Sequence, residues 1–271
     1  NAPRKEAFDT FKASGFPTLQ EDEEYRHTDL QAAFAPDYGL NLNRLDISVN
    51  PQDVFRCDVP NLTTSLYFLI NDSFNHQSEE TARLPEGVLA GSLKEFASTH
   101  PELVGHYYNR LAKRSGDSTV ALNTMFAQDG FFLYVPKGAI VNKPVQLVNV
   151  LRGSRDFMVN RRLLIVIEDG AQAKLLVCDH AVDRVKFLAT QVTEIFVGEN
   201  AVFDYYDLEE TSVETTRIAS TFVEQKGGSN TLVNGITLHN GVTRNNYHIT
   251  FAGEYAETTL CGMAIADQQE T

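Results

Sequence analysis

The second half of the chain alternates short apolar runs with polar steps that contain glycine. The runs are rich in β-branched and aromatic residues and include residues 163–167, 194–197, 220–223 and 248–251. They are too short for typical helices, so we predict β-strands. The marker glycines Gly170, Gly198, Gly227 and Gly253 are spaced 28, 29 and 26 residues apart. A period of this length is typical of solenoids and arrays.

Two arrangements of strands fit this period. In an antiparallel meander each glycine step is a hairpin turn, whereas in a β-solenoid it is a corner between coils stacked about 4.8 Å apart. The period spans two strands, which favours the solenoid. Cys178, Tyr206, Gly235 and Cys261 each follow a marker glycine by eight residues, so a solenoid would place them in one column. The two cysteines would then lie about 14 Å apart, too far to bind one metal ion.

The first half of the chain mixes helical and strand patterns. Residues 3–14 predict a helix with Ala7, Phe8 and Phe11 on one face, which ends at Gly15 before Pro17. The acidic run 21–24 is interpreted as a solvated face. Residues 62–70 predict a strand, and residues 71–73 the turn after it.

Two further helices are predicted before the repeats begin. Ser92, with Glu95 three residues later, indicates a capped helix start. The next helix would begin at Pro101, include Leu111 and close at Gly116. No helical period is visible from residue 120 onward. We therefore predict a mixed, helix-containing cap over residues 1–116 and a β-solenoid core over residues 117–271.

Composition narrows the classes of function. The net charge of -13 disfavours nucleic acid and anionic membrane surfaces as partners, because both need a basic face. No apolar run approaches the roughly 20 residues of a membrane span. The chain opens with Asn1-Ala2, without an initiator methionine or a leader pattern, and its three cysteines form no disulfide framework. These features predict a soluble, cytoplasmic protein.

Candidate metal ligands form only weak patterns. Cys178 and His180 lie on one face of a predicted strand, but no third ligand is visible. Cys57 has no CxxC partner, and each cysteine is interpreted as a small buried or strand residue. Asp179 and His180 are equally well explained by the end of a strand.

The histidines also give little sign of a site. His239 precedes the turn dipeptide Asn240-Gly241 and is predicted to be solvated. His248 is predicted to point away from a core face that contains residues 247, 249 and 251. The remaining histidines, His27, His76, His100 and His106, have no recognisable partners in the sequence.

Enzyme motifs are absent from the sequence. There is no GxxxxGK[ST] loop, no GxGxxG that opens a helix, no GxSxG elbow and no HExxH pair. The densest acidic cluster of the repeat region is Asp204, Asp207, Glu209 and Glu210. Such carboxylates can serve a glycosidase or bind calcium, but we interpret them as a solvated loop. We predict no catalytic, cofactor-binding or metal-binding residues.

Several motifs resemble one family. Residues 121–147 contain a Leu-Asn pair, an Asp-Gly step, a strand and a Val-Pro turn that leads to a proline-led strand. This order resembles the signature of the SufB/SufD family of iron–sulfur cluster assembly scaffolds. Residues 26–30, which follow the segment 15–18, resemble the N-terminal signature of its SufD branch, with Tyr25 where a tryptophan is usual. Residues 84–88 and the helices after them also look like the family, so the resemblance covers almost the whole chain.

The resemblance implies a right-handed parallel β-helix core and a scaffold role without catalysis. It also implies SufB and the ABC-type ATPase SufC as partners. We expect no cofactor on this chain alone, and an iron–sulfur cluster only in the assembled complex.

The end of the chain gives a further expectation. Residues 261–266 look like a strand, and the edge of a solenoid must aggregate, be covered by further sequence or pair with a second subunit, either SufB or a second copy. The family continues with more β-helix, a histidine linked to cluster assembly and a helical segment that docks the ATPase. We therefore expect the chain to be a fragment without that docking element.

A carbohydrate-active enzyme is the rival hypothesis. The β-helix fold commonly hosts polysaccharide lyases and hydrolases. The absence of tryptophan weakens this alternative, because sugar sites favour aromatic platforms, although ten tyrosines are present. The order of the family motifs decides for the scaffold, since fold alone does not determine function.

Overall fold

The computed structural model describes residues 2–18, 23–40, 65–80 and 84–265, and these are mainly β-strand. The helices of these ranges are α1 (Ala2–Ser14), α2 (Leu30–Phe34), α3 (Leu93–Thr99), α4 (Pro101–Tyr107) and α5 (Ser118–Phe126), with 3₁₀ turns at Glu23–Tyr25 and Ala112–Arg114. The strands are β1 (Gly39–Leu40), β2 (Ser65–Ile70), β3 (Ser73–Glu80), β4 (Leu89–Ser92), β5 (Gly130–Val135), β6 (Val145–Leu151), β7 (Phe157–Ile167), β8 (Gln172–Ala181), β9 (Phe187–Val197), β10 (Val202–Glu210), β11 (Thr215–Gln225), β12 (Asn230–His239), β13 (Val242–Phe251) and β14 (Glu257–Ala264).

Two sheets face each other in the second half of the chain. One has the order β13-β11-β9-β7-β5-β4, with β1 beside β7, and the other has the order β14-β12-β10-β8-β6-β2-β3. Successive strands of each sheet from β5 to β14 pair in parallel. Each coil contributes one strand to each sheet, so the chain winds four times between β5 and β13. The predicted solenoid is confirmed, and the antiparallel meander is wrong.

A column of left-handed residues forms the corner between the two sheets. Its members are Gly138, Gly170, Asn200, Gly228 and Tyr255, with φ of 70°, 67°, 55°, 65° and 59°. The first four donate their backbone N–H to a carbonyl of the next coil at 2.7–2.9 Å. Glycine and asparagine adopt this conformation most readily, which explains their recurrence here.

The predicted cysteine column is wrong because the marker glycines are not equivalent. Gly170 is itself a left-handed residue, but the three later glycines precede the left-handed residue of their coil by one or two positions. Cys178 therefore pairs with Leu208, while Cys261 pairs with Asn234. The two cysteines remain on strands β8 and β14, which are three positions apart in one sheet.

The interior beside the corner is apolar. Inward columns such as Ile165, Ile195 and Val223 are at most 2% exposed. In the terminal coil, which we define as β13 and β14, this shielding is lost: Phe251 is 55% and Leu260 52% exposed. The assignment of Phe251 to the core is therefore wrong, because β13 is the edge strand of its sheet and no further strand of the described ranges covers it.

Residues 247–249 follow the predicted alternation. Tyr247 and Ile249 pack against the core. His248 points away from it and stacks on Phe222, with ring centroids 4.7 Å apart. The orientation predicted for His248 is confirmed.

The first predicted helix and strand are largely confirmed. Helix α1 ends at Gly15, whose N–H donates to the Phe11 carbonyl with φ of 64°. Ala7 is buried, but Phe8 is 53% exposed and does not share the buried face. Strand β2 covers residues 65–70, and the rest of the predicted strand, 62–64, lies outside the described residues.

One predicted helix ends earlier than expected, and one helix was not predicted. Ser92 caps α3 as expected, since its Oγ accepts from the Glu95 N–H. Helix α4 ends at Tyr107 rather than at Gly116, because Tyr108 is extended and Asn109 is left-handed. Helix α5 was missed because residues 118–124 are all buried, so no amphipathic period is visible. The domain boundary after residue 116 stays a prediction.

The left-handed corner should be sensitive to a single methyl group. We expect Gly170→Ala to lower the free energy of unfolding by about 1–2 kcal/mol, because its φ of 67° strains any Cβ although no atom but Gly138 Cα lies within 4 Å. Gly170→Asn should cost less, as Asn200 occupies the equivalent place. Urea denaturation would measure both, with Gly262→Ala as the control because that glycine has φ outside the left-handed region. Equal losses for Gly170→Ala and Gly262→Ala would contradict the assignment.

Candidate functional site

A layer of buried polar side chains crosses the solenoid interior. We define this charge layer as Asn149, Arg161, Asp179, Gln191, Asp207, Glu209 and Arg217, each at most 4% exposed. The residues come from six successive strands, β6 to β11, and strand alternation turns them inward. A small apolar cluster that contains Leu151 and Phe187 lies beyond them. The layer is thus enclosed by apolar residues and is closed to a substrate.

Two arginines organise the charge layer. Arg161 Nη1 donates to Asp179 Oδ1 at 2.9 Å, and its Nε donates to the Asn71 carbonyl at 3.1 Å. Arg217 Nη2 donates to Asp207 Oδ2 at 2.7 Å, and its Nε lies 3.1 Å from Asp179 Oδ2. Asp179 thus joins the two arginines, and the layer becomes one continuous network across the six strands β6 to β11, which make three coils.

Glu209 is the weakly paired member of the network. Its Oε2 lies 3.8 Å from Arg217 Nη1 and accepts from Thr243 Oγ1 at 3.0 Å. Three carboxylates share two guanidinium groups here, so one negative charge is left over. Burial, opposed by Arg217, raises the pKa of Glu209 to about 7. In contrast, Arg161 and Arg217 outweigh burial and lower the pKa of Asp179.

A second buried ion pair lies on the outer face of the first sheet. Arg162 Nη2 donates to Glu194 Oε2 at 2.8 Å, and we call these two residues the cap pair. Glu194 also accepts the backbone N–H groups of Asn109, Leu111 and Ala112 at 2.7, 2.8 and 3.1 Å. The carboxylate thereby holds the chain that follows helix α4 against the sheet.

Arg162 extends this contact to two other parts of the cap. Its Nη1 donates to Thr124 Oγ1 on α5 at 3.0 Å, and its Nη2 donates to Asn109 Oδ1 at 3.0 Å. The Tyr108 ring covers the guanidinium, whose carbon lies 4.9 Å from the ring centroid. Helices α4 and α5 are therefore fixed to the solenoid by adjacent strands β7 and β9.

Tyr25 makes a third connection between the first residues and the solenoid. It is 4% exposed, and its hydroxyl donates to Asp117 Oδ2 at 2.5 Å. The Arg244 guanidinium of β13 lies over its ring, 4.1 Å from the centroid. Burial and the Asp117 carboxylate raise the pKa of Tyr25. An aromatic residue at this position is therefore a buried contact.

The predicted acidic loop is wrong. Residues 204–210 belong to strand β10, so Asp207 and Glu209 point inward while Asp204 and Glu210 point outward. Asp204 pairs with Lys174 across strands at 2.7 Å. The alternation of charges two residues apart was the signal that could have identified an inward pair. Because Asp207 and Glu209 are buried, they cannot act on a polysaccharide.

Among the described residues the metal-ligand candidates do not form one site, although Cys178 and His180 lie on one face of β8 as predicted. Cys178 and His180 share the outer side of β8 and are buried, whereas Asp179 points inward to the arginines. Cys178 Sγ lies 3.6 Å from Gln146 Nε2, Cys261 is exposed, and Cys57 lies outside the described residues. Within those residues, no group of three or more His, Cys, Asp or Glu could hold a metal ion. The absence of a metal site stays a prediction for the whole chain.

The other histidines lie at the surface. His239 is exposed, as predicted. His76 lies 3.6 Å from Glu95, His27 accepts from Arg26, and His100 contacts Thr99 Oγ1 at 2.9 Å. The His106 ring packs edge-on against Tyr107, with centroids 4.7 Å apart, so all four histidines without partners in the sequence have local contacts.

Two family descriptions match the chain almost from end to end. "SufBD protein N-terminal region" matches residues 1–147, and "SUF system FeS cluster assembly, SufBD core domain" matches residues 150–271. The chain belongs to the SufB/SufD family. The cap pair joins the two matched regions, since Asn109 and Thr124 lie in the first and Arg162 and Glu194 in the second.

Relatives in this family are similar at low identity. An iron–sulfur cluster assembly SufBD family protein of Synechocystis is 25% identical over 266 residues, which cover 92% of this chain and 58% of that protein. The iron–sulfur cluster assembly protein SufD of Bacillus subtilis is 26% identical over 176 residues, 64% of this chain and 39% of the relative. Protein ABCI7 of Arabidopsis thaliana chloroplasts is 26% identical over 199 residues, 69% of this chain and 41% of the relative. The chain thus spans little more than half of the longest-matched relative.

Helices that could cross a bilayer do not occur in the parts of the chain that the structure describes.

Glu209 should make stability depend on pH near neutrality. Its pKa is raised from 4.5 to about 7 in the folded state, so its contribution is full below about pH 4.5 and is lost as pH rises through 7. We expect Glu209→Gln to remove this loss, measured as urea unfolding free energy between about pH 5 and 8. Glu210→Gln, at the exposed neighbouring position, should keep the wild-type profile. An unchanged slope in Glu209→Gln would refute the assignment.

The cap pair should contribute more to the free energy of unfolding than a surface pair of the same residue types. We expect Glu194→Gln to lower the free energy of unfolding by about 3 kcal/mol, because it leaves Arg162 buried without its charged partner. Glu224→Gln, which loses partly exposed pairs with Arg110 and Arg114, should cost less than about 1 kcal/mol.

Urea denaturation would compare these two variants, and limited proteolysis would probe residues 108–116. Cleavage there should accelerate in Glu194→Gln alone. Similar stabilities and cleavage rates in both variants would show that the carboxylate does not hold the cap.

Proposed function

We propose that the chain is a non-catalytic scaffold of iron–sulfur cluster assembly that pairs with SufB and, through the complex, with the SufC ATPase. The observation that carries this proposal is the match of both family regions over residues 1–147 and 150–271. The name of the Bacillus subtilis relative, an iron–sulfur cluster assembly protein SufD, supports the SufD branch. The enclosed charge layer and the cap pair consolidate the fold, which suits a scaffold.

The terminal coil is the surface that we assign to the SufB-type partner. Its inward positions, which are covered in earlier coils, leave Phe251 55% and Leu260 52% exposed. Strands β13 and β14 are also the last in their sheets among the described residues. Edge strands readily pair with strands of another chain. Two other occupants compete for this edge. A second copy of this chain could pair in the same way, and in a longer protein further coils of the same chain could cover it.

The cluster itself is cargo of the assembly in this proposal. Cys178 is buried and Cys261 lies three strands away, which gives no reason to place a cluster on these two thiols of a single chain. We therefore propose that a cluster forms only in the assembled complex. The net charge of -13 supports protein partners over nucleic acid or anionic membranes, and a cytoplasmic location goes with this proposal.

Co-expression with SufB and SufC subunits from the same organism would test this function. We expect the chain to co-purify with SufB, because the terminal coil offers both apolar surface and strand edges. Leu260→Asp should abolish co-purification, since it buries a charge at the interface. Val213→Asp is the matched control, because Val213 is 59% exposed but lies outside the terminal coil.

Two results would overturn the proposal. The first is failure of the wild-type chain to associate with SufB. The second is equal association of Leu260→Asp and wild type, which would exclude the terminal coil as the contact. Self-association of the chain that Leu260→Asp removes, without SufB binding, would assign the coil to a homodimer instead.

A further inference from the structure

A cavity of about 330 Å³ lies in the helical cap, apart from the terminal coil. Its walls are α3, α4, the first turn of α1 and the chain after α5, and Arg162 of the cap pair contributes to it. The apolar part of the wall includes Leu93, Ala97, Val104 and Tyr108. Cavities that bind small molecules start at about this volume and combine an apolar wall with a few polar groups.

One residue of α4, Gly105, lines the cavity without a side chain. Pro101, Val104 and Gly105 line it from one face of α4, and Tyr108, which directly follows the helix, lines it as well. A Cβ added at Gly105 would meet no atom within 4 Å. Glycine in a helix interior is less stabilising than alanine. Gly105 therefore costs some helix stability, and it leaves space for a ligand on this face.

The polar part of the wall is basic in an otherwise acidic chain. Arg4, Lys94 and Arg162 line the cavity, against one carboxylate, Asp129. Arg4 is held in place, since its Nη2 donates to the Ala127 carbonyl at 2.7 Å. Arg162 Nε has no hydrogen-bond partner among the described residues. Arg162 is already paired with Glu194, so Arg4 and Lys94 against Asp129 leave one cation in excess. This local excess contrasts with the net charge of -13 for the whole chain.

The Asp129 carboxylate is held by the start of α3 and by Gly130, and no ion pair joins it to the side chains of Arg4 or Lys94 among the described residues. Its Oδ1 accepts the backbone N–H groups of Lys94 and Gly130 at 3.1 and 2.8 Å and the Ser92 hydroxyl at 2.9 Å. Three donors therefore already engage one oxygen of this carboxylate. The side chains of Arg4 and Lys94 remain available to a ligand from outside.

We propose that this cavity binds a small organic anion with an apolar body. The anionic group would contact Lys94 and Arg4, and the apolar body would lie against Leu93, Val104 and Tyr108 in the space beside Gly105. Because Tyr108 and Arg162 also form the cap contact, occupancy should stabilise the cap on the solenoid. This site is independent of the proposed scaffold function, since it uses neither the terminal coil nor a thiol.

Calorimetric titration of the 271-residue chain with octanoate, and with octan-1-ol as the neutral probe of equal length, would test the site. We expect octanoate to bind with a dissociation constant below about 1 mM and at least tenfold more tightly than octan-1-ol. Lys94→Glu should weaken octanoate by about tenfold or more. Lys113→Glu, an exposed lysine that does not line this cavity, should bind as wild type.

Gly105→Leu tests the location of the site, because its side chain would occupy the cavity. We expect it to lose octanoate binding while its urea midpoint stays at or above the wild-type value. If this variant does not fold, Lys94→Glu against Lys113→Glu decides. Absence of octanoate binding, equal affinity for octan-1-ol, or wild-type affinity in Lys94→Glu or in folded Gly105→Leu would each overturn the proposal.

Discussion

The pairing of buried charges is the constraint on which this structure depends. Arg217 and Arg161 are fully enclosed, and without their carboxylates either charge would be prohibitively unfavourable in an apolar interior. The partners come from different coils, so Asp179 and Asp207 meet Arg217 only when β8, β10 and β11 are in the observed register. Hydrophobic columns alone would tolerate a shift of two residues, whereas the charges would not. The network therefore specifies the winding as well as stabilising it.

The same reasoning applies at the outer face of the solenoid. Arg161 and Arg162 are neighbours in sequence, yet strand alternation sends one inward to the charge layer and the other outward to the cap. One dipeptide of β7 thus connects the interior of the coils with the helices packed on them. The family descriptions divide the chain into an N-terminal region and a core region. In this structure the two regions share buried contacts on both sides of β7.

Much of the fold could be predicted from local patterns, but the charged positions could not. The runs at 163–167 and 194–197 identified strands because short apolar runs that are rich in β-branched residues and bounded by glycine are typical of strands. Helix α5 escaped because it is buried on all sides and has no polar face to reveal a period. From the sequence alone, Asp207 and Glu209 are assigned to the surface. A buried carboxylate can be predicted only when its cationic partner can be identified, and here that partner, Arg217, lies on another strand. Likewise, Lys94 and Gly105 converge on one cavity only through the packing of α3 against α4.

The corner built from left-handed residues has a consequence for the variation of this solenoid. Gly138, Gly170, Asn200, Gly228 and Tyr255 stay aligned although they are 32, 30, 28 and 27 residues apart. The connections at the opposite corner absorb most of the difference, as they have five residues after β6 and β8, four after β10 and two after β12. Insertions and deletions should therefore be tolerated at that second corner and rejected at the first. A β-solenoid whose coils shorten in this way can change the length of its coils during evolution, while the hydrogen bonds of the first corner keep successive coils in register.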